Sequence, residues 1–235
     1  MKKGKLYLIP TTIGETSIQK VLPSHNSDII NTIEYFIVEE LRTARRFLKK
    51  AGIIKAIDEL NFYTLNEHTK PEEIFNYLEM IEKGYNIGLL SEAGVPCIAD
   101  PGAEIVKIAQ EKNIDIIPLI GPSSILLSLM GSGFNGQNFA FLGYLPIDKK
   151  QRSDKLKDIE RNIYQNNQTQ IFIEAPYRNN QMIEAILNTC RNETMLCIAC
   201  ELTSDNEFIK TKSIASWKKT KFDFHKKNTV FLIYK

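Results

Sequence analysis

One stretch of the sequence combines a buried strand with a loop suited to bind a ligand. Residues 86–102 read N-I-G-L-L-S-E-A-G-V-P-C-I-A-D-P-G, and the apolar I-G-L-L predicts a strand. In the turn that follows, Gly94 allows backbone angles and a close ligand approach that a side chain would prevent. Asp100 as N-cap and Pro101 as first helical residue then predict a helix. Ligands of open α/β sheets bind beyond the carboxyl ends of strands, so this loop is a candidate site, although an ordinary strand-to-helix connection has similar residues.

A second stretch has the composition of a phosphate-binding surface. Residues 39–51 read E-E-L-R-T-A-R-R-F-L-K-K-A, and Leu41, Ala44 and Leu48 recur at helical spacing. The basic residues occupy another face, which is either solvated or available to RNA phosphates. These basic residues are Arg42, Arg45, Arg46, Lys49 and Lys50.

The C-x-x-C pair Cys197 and Cys200 is a third candidate, because that spacing suits metal or redox chemistry in other contexts. Here it lies in the apolar run T-M-L-C-I-A-C-E-L, which predicts a strand. Residues three apart on a strand point to opposite faces. We therefore expect two core thiols and no metal site.

Length and composition predict a globular protein of one or two domains. The chain has 235 residues, 43% hydrophobic and 25% charged, with a net charge of +2. This small charge argues against a tail devoted to nucleic acid but permits a local basic patch. The amino terminus resembles no signal peptide and no apolar run reaches membrane-spanning length, so a cytoplasmic protein is expected.

The elements that position these residues alternate between strands and helices. Strand and helix signals alternate up to about residue 118, which predicts a mainly parallel sheet. The later strands follow one another more closely and predict a mixed sheet. The first predicted strand leads into T-T-I-G-E, which lacks the glycine-rich loop of Rossmann-type sites. We expect an N-terminal α/β domain over residues 1–118 and a C-terminal one over 119–235.

Several motifs together resemble those of the ribosomal RNA 2′-O-ribose methyltransferases, a branch of the tetrapyrrole methylase superfamily. The segment S-E-A-G-V-P-C-I-A-D-P-G is similar to the family's S-D-A-G-T-P-x-I-S-D-P-G. L-Y-L-I-P-T-T-I-G-E, E-E-L-R-T-A-R-R-F-L, N-E-H-T, G-P-S, G-Y-L-P, E-A-P-Y-R and C-E-L-T resemble further family motifs, in order and in both halves. Departures from the family pattern occur at Thr12, Glu15, Glu40, Leu41 and Cys200.

The resemblance implies an S-adenosylmethionine (SAM)-dependent methyltransferase, usually a homodimer, with the cofactor in a cleft between two α/β domains. Because the cofactor carries the activated methyl group, the protein mainly binds and orients. The cofactor-binding residues implied by similarity are Pro10, Ser91, Glu92, Ala93, Gly94, Cys97, Ser123, Ser124, Ala175, Cys200, Glu201, Asn228 and Thr229.

The same resemblance implies methylation of a ribose 2′-hydroxyl in small-subunit ribosomal RNA. Such a hydroxyl needs a base or positioning group, and the basic residues favour RNA over the tetrapyrrole or other small-molecule substrates of sister families. A non-catalytic SAM- or RNA-binding protein is the alternative from another class. The unranked base candidates are Glu39, Glu40, Glu67, His68 and Glu174. The candidate RNA contacts are Arg42, Arg45, Arg46 and Arg178.

Overall fold

The computed structural model describes residues 3–66, 69 and 71–235, and of residues 71 and 72 it describes the backbone alone. The chain divides into two compact units, Met1–Ser123 and Ser124–Lys235. In the described part of the chain, no helix combines the length and hydrophobicity needed to cross a membrane.

The first unit contains a wholly parallel five-stranded sheet. Its strands are β1 (Leu6–Ile9), β2 (Tyr35–Val38), β3 (Asn61–Thr64), β4 (Ile87–Leu90) and β5 (Ile116–Pro118). They lie in the order β3-β2-β4-β1-β5, and every neighbouring pair is parallel. The prediction of a parallel sheet is therefore confirmed.

Helices cover both faces of this sheet. They are α1 (Ile18–Val21), α2 (Ser24–Ile30), α3 (Leu41–Lys50), α4 (Pro71–Tyr77), α5 (Glu79–Glu82) and α6 (Gly102–Glu111). Phe36 and Val38 of β2 belong to a core shared with α1, α2 and α3. Ile37 between them belongs to a core shared with α4, α5 and α6. This alternation follows from the two-residue period of a strand.

The topology places a switch point between β2 and β4. These strands are neighbours, but the chain leaves β2 into α3 on one face and leaves β4 into α6 on the other. β3 then lies on one side of this pair, and β5 lies on the other. Connections that diverge from adjacent parallel strands define a switch point, where open α/β sheets bind ligands.

The second unit contains a mixed five-stranded sheet. Its strands are β6 (Phe139–Tyr144), β7 (Thr169–Ile173), β8 (Met195–Cys200), β9 (Phe208–Ser213) and β10 (Thr229–Tyr234). The order is β6-β7-β10-β8-β9, with β6 and β7 parallel and the other pairs antiparallel. The prediction of a second α/β unit with a mixed sheet is confirmed.

Helices also cover this second sheet. They are α7 (Ser124–Ser132), α8 (Lys149–Asn166), α9 (Asn179–Thr189) and α10 (Ile214–Trp217). Cys197 packs in the core with Leu129 of α7, whereas Cys200 packs in the core with Ile159 of α8 and Met182 of α9. The expectation that these two cysteines face opposite sides of a strand is confirmed. The absence of a metal remains a prediction.

One edge of the second sheet collects the predicted site residues. Because β10 is antiparallel to both β7 and β8, its first residues lie beside their last ones, as the pairs Val230–Ile173 and Thr229–Cys200 show. The carboxyl end of β6 lies at the same edge, where Tyr144 pairs with Ile173.

Candidate functional site

Backbone-to-backbone packing shapes the loop after β4. The Thr11 amide donates to the Gly94 carbonyl at 2.9 Å, and the buried Ser91 hydroxyl donates to the same oxygen. Gly94 has φ +78°, and a Cβ there would lie 2.9 Å from the Pro122 carbonyl oxygen. A side chain at this position would therefore be strained and would push the loops after β1, β4 and β5 apart. Pro10 is buried behind them, where a Cβ on Gly121 would clash with it.

Asp100 holds the second half of the same loop. Its carboxylate accepts the Cys97 amide at 2.9 Å and the Gly102 amide at 2.8 Å. Helix α6 begins one residue later than expected, with Pro101 rather than Asp100 as N-cap. Cys97 and Ala99 have φ of 68° and 63°, a left-handed conformation that non-glycine residues adopt mainly when their surroundings impose it. Asp100 therefore imposes a strained loop of the kind found at ligand sites.

The Cys97 thiol is not a nucleophile at neutral pH. Burial, assisted by the nearby Asp100 carboxylate, raises the pKa of Cys97 to about 11. The thiolate is the reactive form, so this side chain remains protonated and serves the loop by its size and shape.

Glu39 lies at the switch point, immediately after β2. Partial burial, followed by the negative charges of Glu92 and Asp100, raises the pKa of Glu39. Within the described residues, no group donates a hydrogen bond to its carboxylate, so its oxygens are available to a substrate proton. A carboxylate with a raised pKa at a switch point suits general base catalysis. Here it lines a narrow cavity of about 10 Å³ together with Leu65, Asp100 and Gly102.

Glu40, by contrast, has a structural task. Its carboxylate accepts the Arg42 amide at 3.0 Å and caps α3, and its own amide donates to Glu92 at 3.2 Å. The Thr43 hydroxyl also lies 2.8 Å from the Glu92 carboxylate. Glu92 therefore ties the loop after β4 to the first turn of α3.

A cavity of about 520 Å³ lies beside this link, between α3 and the loops after β1 and β4. Exposed cations at one side oppose hydroxyl groups and Glu92 at the other, so the cavity offers both charge and hydrogen-bond donors. The lining residues are Thr11, Thr12, Thr43, Ala44, Arg46, Phe47, Lys49, Lys50, Ser91 and Glu92.

The basic face of α3 is smaller than the sequence suggested. Arg42, Arg46 and Lys49 are exposed, but Arg45 is half-buried, its guanidinium 5.5 Å from the centre of the Phe62 ring. The buried Arg45 Nε has no hydrogen-bond partner among the described residues. Arg45 lies at the flank of the buried stripe, where its guanidinium packs over Phe62 of β3, and its contact with RNA stays a prediction.

Predicted site residues of the second unit meet at one edge of its sheet. The Asn228 amide donates to the Glu201 carboxylate at 2.7 Å, and the Glu201 amide donates to the Asn228 carbonyl at 2.8 Å. Thr229 is buried beneath them and accepts from the Asn179 side-chain amide at 3.1 Å. Glu201 has φ +52°, a second strained position at a strand end. A cavity of about 500 Å³ opens here, lined by Cys200, Glu201, Asn206, Glu207, Phe208, Phe224 and Lys227.

Glu174 and Arg178 are occupied with each other. Glu174 is 4% exposed, and its Oε1 accepts from Arg178 Nη2 at 2.6 Å, from Arg178 Nε at 2.9 Å and from the Ala175 amide at 2.7 Å. The contact with Glu174 raises the pKa of Arg178. A carboxylate with this many donors is a poor base, and a guanidinium paired in this way is a poor phosphate ligand.

The remaining predicted residues are placed as follows. Glu92 and Ala93 are exposed in the loop after β4, and Ala175 is half-buried after β7. Ser123 ends the first unit, and Ser124 is the first residue of α7. Glu67 and His68 lie outside the described residues, so their role stays a prediction.

Comparison with known proteins identifies the family. Ribosomal RNA small subunit methyltransferase I of Buchnera aphidicola subsp. Schizaphis graminum is 32% identical over 235 residues, covering 99% of this chain and 78% of that protein. The protein of the same name from Escherichia coli O157:H7 is 30% identical over 209 residues, covering 88% and 68%. No protein-family profile matches the chain. The chain belongs to the ribosomal RNA small subunit methyltransferase I family.

Solved structures show that this family member has the tetrapyrrole methylase fold. The methyltransferase CobJ superposes with a TM-score of 0.65 at 13% identity, covering 98% of this chain and 94% of CobJ. The native form of uroporphyrin III C-methyl transferase from Thermus thermophilus gives 0.62 at 14% identity, covering 99% and 98%. The resemblance found in the motifs is confirmed, and the protein is a methyltransferase whose methyl donor is SAM.

The residues present fit this methyl donor. The chain makes a tight turn at Gly94, where a Cβ could not be placed. The absence of a side chain leaves the main-chain groups of this turn accessible. Hydroxyl groups of Thr11, Thr12 and Ser91 line the cavity beside the loops after β1 and β4. A bound cofactor that carries its own activated group requires this kind of positioning surface.

Three residues that anchor the loops of the candidate site were not among the predicted site residues. Thr43 and Asp100 anchor the loop after β4, and Asn179 anchors the start of β10. The sequence contained a signal for Asp100 in the D-P-G motif, where it was interpreted as a helix cap. Neither Thr43 nor Asn179 had a local signal, because their partners lie 49 and 50 residues away.

Proposed function

We propose that the protein transfers a methyl group from SAM to a ribose 2′-hydroxyl of small-subunit ribosomal RNA. The observation that carries the proposal is Glu39, a carboxylate of raised pKa at the switch point beside the loop after β4. The names of the relatives supply the substrate class, since they are ribosomal RNA small subunit methyltransferases.

Glu39 acts as the base in this proposal. The Glu39 carboxylate would accept the proton that the ribose 2′-hydroxyl loses as its oxygen gains the methyl group. SAM, when bound, supplies the activated methyl group. A positioned base contributes about 10²- to 10⁴-fold to such a rate. Glu40 caps α3 and Glu174 pairs with Arg178, which leaves Glu39 as the strongest of the described candidates.

The cavity beside α3 supports RNA as the substrate. Arg46, Lys49 and Lys50 line it together with Glu92, so phosphate-binding groups lie next to the loop assigned to the cofactor. An RNA backbone bound to these cations would bring a neighbouring ribose towards the switch point. A tetrapyrrole carries carboxylates but no such chain of phosphates.

Two groups of residues would hold SAM. In the first unit they are Ser91, Gly94 and Cys97, with Thr11 supporting them from the loop after β1. In the second unit they are Cys200, Glu201, Asn228 and Thr229, which share one sheet edge.

The proposal includes a cytoplasmic homodimer, which the family resemblance alone supports. The cytoplasm is the compartment that contains the proposed substrate. Sedimentation velocity of the purified chain at several concentrations tests the association, and a single species with the mass of one chain would contradict it.

The function is tested by methyl transfer from labelled SAM. Small ribosomal subunits, naked small-subunit RNA and a tetrapyrrole such as uroporphyrinogen are offered separately to wild-type protein. We expect the label in RNA, within one nuclease fragment. That fragment should resist alkaline cleavage at one position, because the 2′-hydroxyl of the nucleotide there is methylated. Label in the tetrapyrrole alone would contradict the proposal, as would SAM binding without transfer to any of the three.

A further inference from the structure

Two exposed tyrosines lie at one edge of the second sheet and have no part in the proposed chemistry. Tyr144 ends β6 and is 61% exposed, and Tyr177 follows β7 and is 59% exposed. The register between β6 and β7 shifts just before Tyr144, where Gly143 adopts φ +65°. The shift makes Tyr144 pair with Ile173, the last residue of β7. Both rings therefore belong to the edge at which β6 and β7 end.

Neighbouring charged groups hold Tyr177 in place. The Arg178 guanidinium lies 5.3 Å from the centre of the Tyr177 ring, a cation–π distance. Arg178 is itself fixed by two hydrogen bonds to the buried Glu174, at 2.6 Å and 2.9 Å. Tyr144 and Tyr177 both contribute electrostatically to the raised pKa of Arg178, so both lie near its charge. A solvent-exposed aromatic ring with this degree of support is preorganised for a planar ligand.

Lysines flank the two rings on both sides. Lys149 and Lys150 begin α8, a few residues after Tyr144, and both are exposed. On the other side, the Lys226 amide donates to the Pro176 carbonyl at 2.9 Å, which places exposed Lys226 beside the short helix that holds Tyr177. Along this edge, Lys149 and Lys150 follow β6 and Lys226 precedes β10, with β7 between those two strands.

We propose that Tyr144 and Tyr177, here called the aromatic platform, stack unpaired bases of the RNA substrate while the flanking lysines hold the adjoining phosphates. The inference rests on the proposed function, which it deepens by naming the form of the substrate as single-stranded. Aromatic rings interleaved with cations are how proteins bind single strands, because every base has a π-face and every linkage has a charge. A paired A-form helix keeps its bases stacked inside and would not contact the rings.

In this proposal Arg178 is a positioning residue and not a phosphate ligand. Its charge is balanced by Glu174, and its guanidinium covers one side of the Tyr177 ring. The base then stacks on the remainder of the ring, which the exposure of Tyr177 leaves open to solvent.

The experiment compares the full-length protein with Tyr177→Ala, Tyr177→Phe and Tyr85→Ala. Tyr85 is a matched control, since it is 45% exposed but lies in the first unit, just before the amino-terminal end of β4. The probes are fluorescein-labelled single strands of about ten nucleotides, one of oligoadenylate and one of abasic ribose phosphate, a length within the range that single-strand sites cover. Binding is measured by anisotropy, and folding of each variant is checked by thermal denaturation.

We expect Tyr177→Ala to weaken binding of oligoadenylate about tenfold while leaving binding of the abasic strand unchanged. Tyr177→Phe keeps the ring and retains the affinity, and Tyr85→Ala behaves as wild type. Equal affinity of a folded Tyr177→Ala protein for oligoadenylate would overturn the platform, as would an equal loss on both probes. Wild-type methyl transfer to small subunits is measured in parallel. If the wild-type protein does not methylate small subunits, the proposed function is wrong. If the wild-type protein methylates them and Tyr177→Ala does so with an unchanged KM, only the aromatic platform is wrong.

Discussion

The Thr43 hydroxyl, in the first turn of α3, donates a hydrogen bond of 2.8 Å to the Glu92 carboxylate in the loop after β4. The Glu40 amide donates to the same carboxylate at 3.2 Å. The helix that presents Arg46 and Lys49 is thereby tied to the loop assigned to SAM. Binding of RNA on one side and of cofactor on the other should therefore each order this common link.

Removing the Thr43 hydroxyl should weaken cofactor binding. Thr43→Val keeps the shape of the side chain but leaves Glu92 without one of its two donors, and a hydrogen bond to a charged group contributes about 1.5–3 kcal/mol. Because both residues are exposed, solvent screens the contact and we expect a smaller loss, about 3-fold in SAM affinity by calorimetry. Thr43→Ser retains the hydroxyl and is the control. An unchanged affinity in folded Thr43→Val would show that the link does not support the loop.

Glu39→Gln should abolish most activity without unfolding the protein. The amide cannot accept the substrate proton, so kcat should fall by about 10²-fold or more, while the affinities for SAM and RNA persist. Glu40→Gln is the matched control, since it alters a neighbouring carboxylate that only caps a helix, and it should retain activity at a small cost in stability. If Glu39→Gln turns over at the wild-type rate, another group is the base.

The raised pKa of Glu39 gives two linked pH effects. The base must be ionised, so kcat should fall as pH decreases through the raised pKa of Glu39, and Glu39→Gln should remove this limb. For stability the sign is opposite. A carboxyl whose folded pKa is raised stabilises the fold below its unfolded pKa, and this contribution is lost as pH rises through the folded pKa. At neutral pH Glu39→Gln should therefore unfold at the same temperature as wild type or slightly higher.

The two neighbouring arginines of α3 should respond differently to substitution. Arg46 is exposed in the cavity, so Arg46→Gln should weaken RNA binding and lower the dependence of log affinity on log salt by about 0.7 for the lost phosphate contact. Arg45 packs on Phe62, so Arg45→Gln should mainly lower the unfolding temperature. Salt titrations of RNA binding and thermal melts of both variants separate the two roles. The opposite pattern would contradict the placement of Arg45.

The buried amide of Asn179 should be essential to the second unit. Asn179 is fully buried, and its side-chain nitrogen donates to the carbonyls of Phe224 and Lys227, at 2.9 Å and 2.7 Å, and to Thr229. Asn179→Leu removes all three of these hydrogen bonds, each of which contributes about 0.5–1.5 kcal/mol. Denaturant unfolding should show a loss of that order or more. Asn180→Leu, whose side chain bonds the exposed Asp223, is the control and should cost less.

The sequence by itself determined the order and kind of the elements. The strand predicted at I-G-L-L lies at Ile87–Leu90 in the structure, because a short apolar run between polar residues allows few alternatives. The opposite orientation of Cys197 and Cys200 followed from the period of a strand. Family motifs added the methyltransferase and its cofactor, since motifs in the same order over both halves constrain more than any single pattern.

Only the tertiary structure decided which of the candidate residues remain available for chemistry. Glu39, Glu40 and Glu174 have the same side chain, yet one lies at the switch point, one caps a helix and one pairs with Arg178. Arg45 and Arg46 are adjacent in sequence, yet one is packed and the other exposed. These differences arise from partners that are distant in the chain or from a position at the border of a buried stripe. Local periodicity carries no information about such contacts, whereas burial and hydrogen bonding set the reactivity of each group.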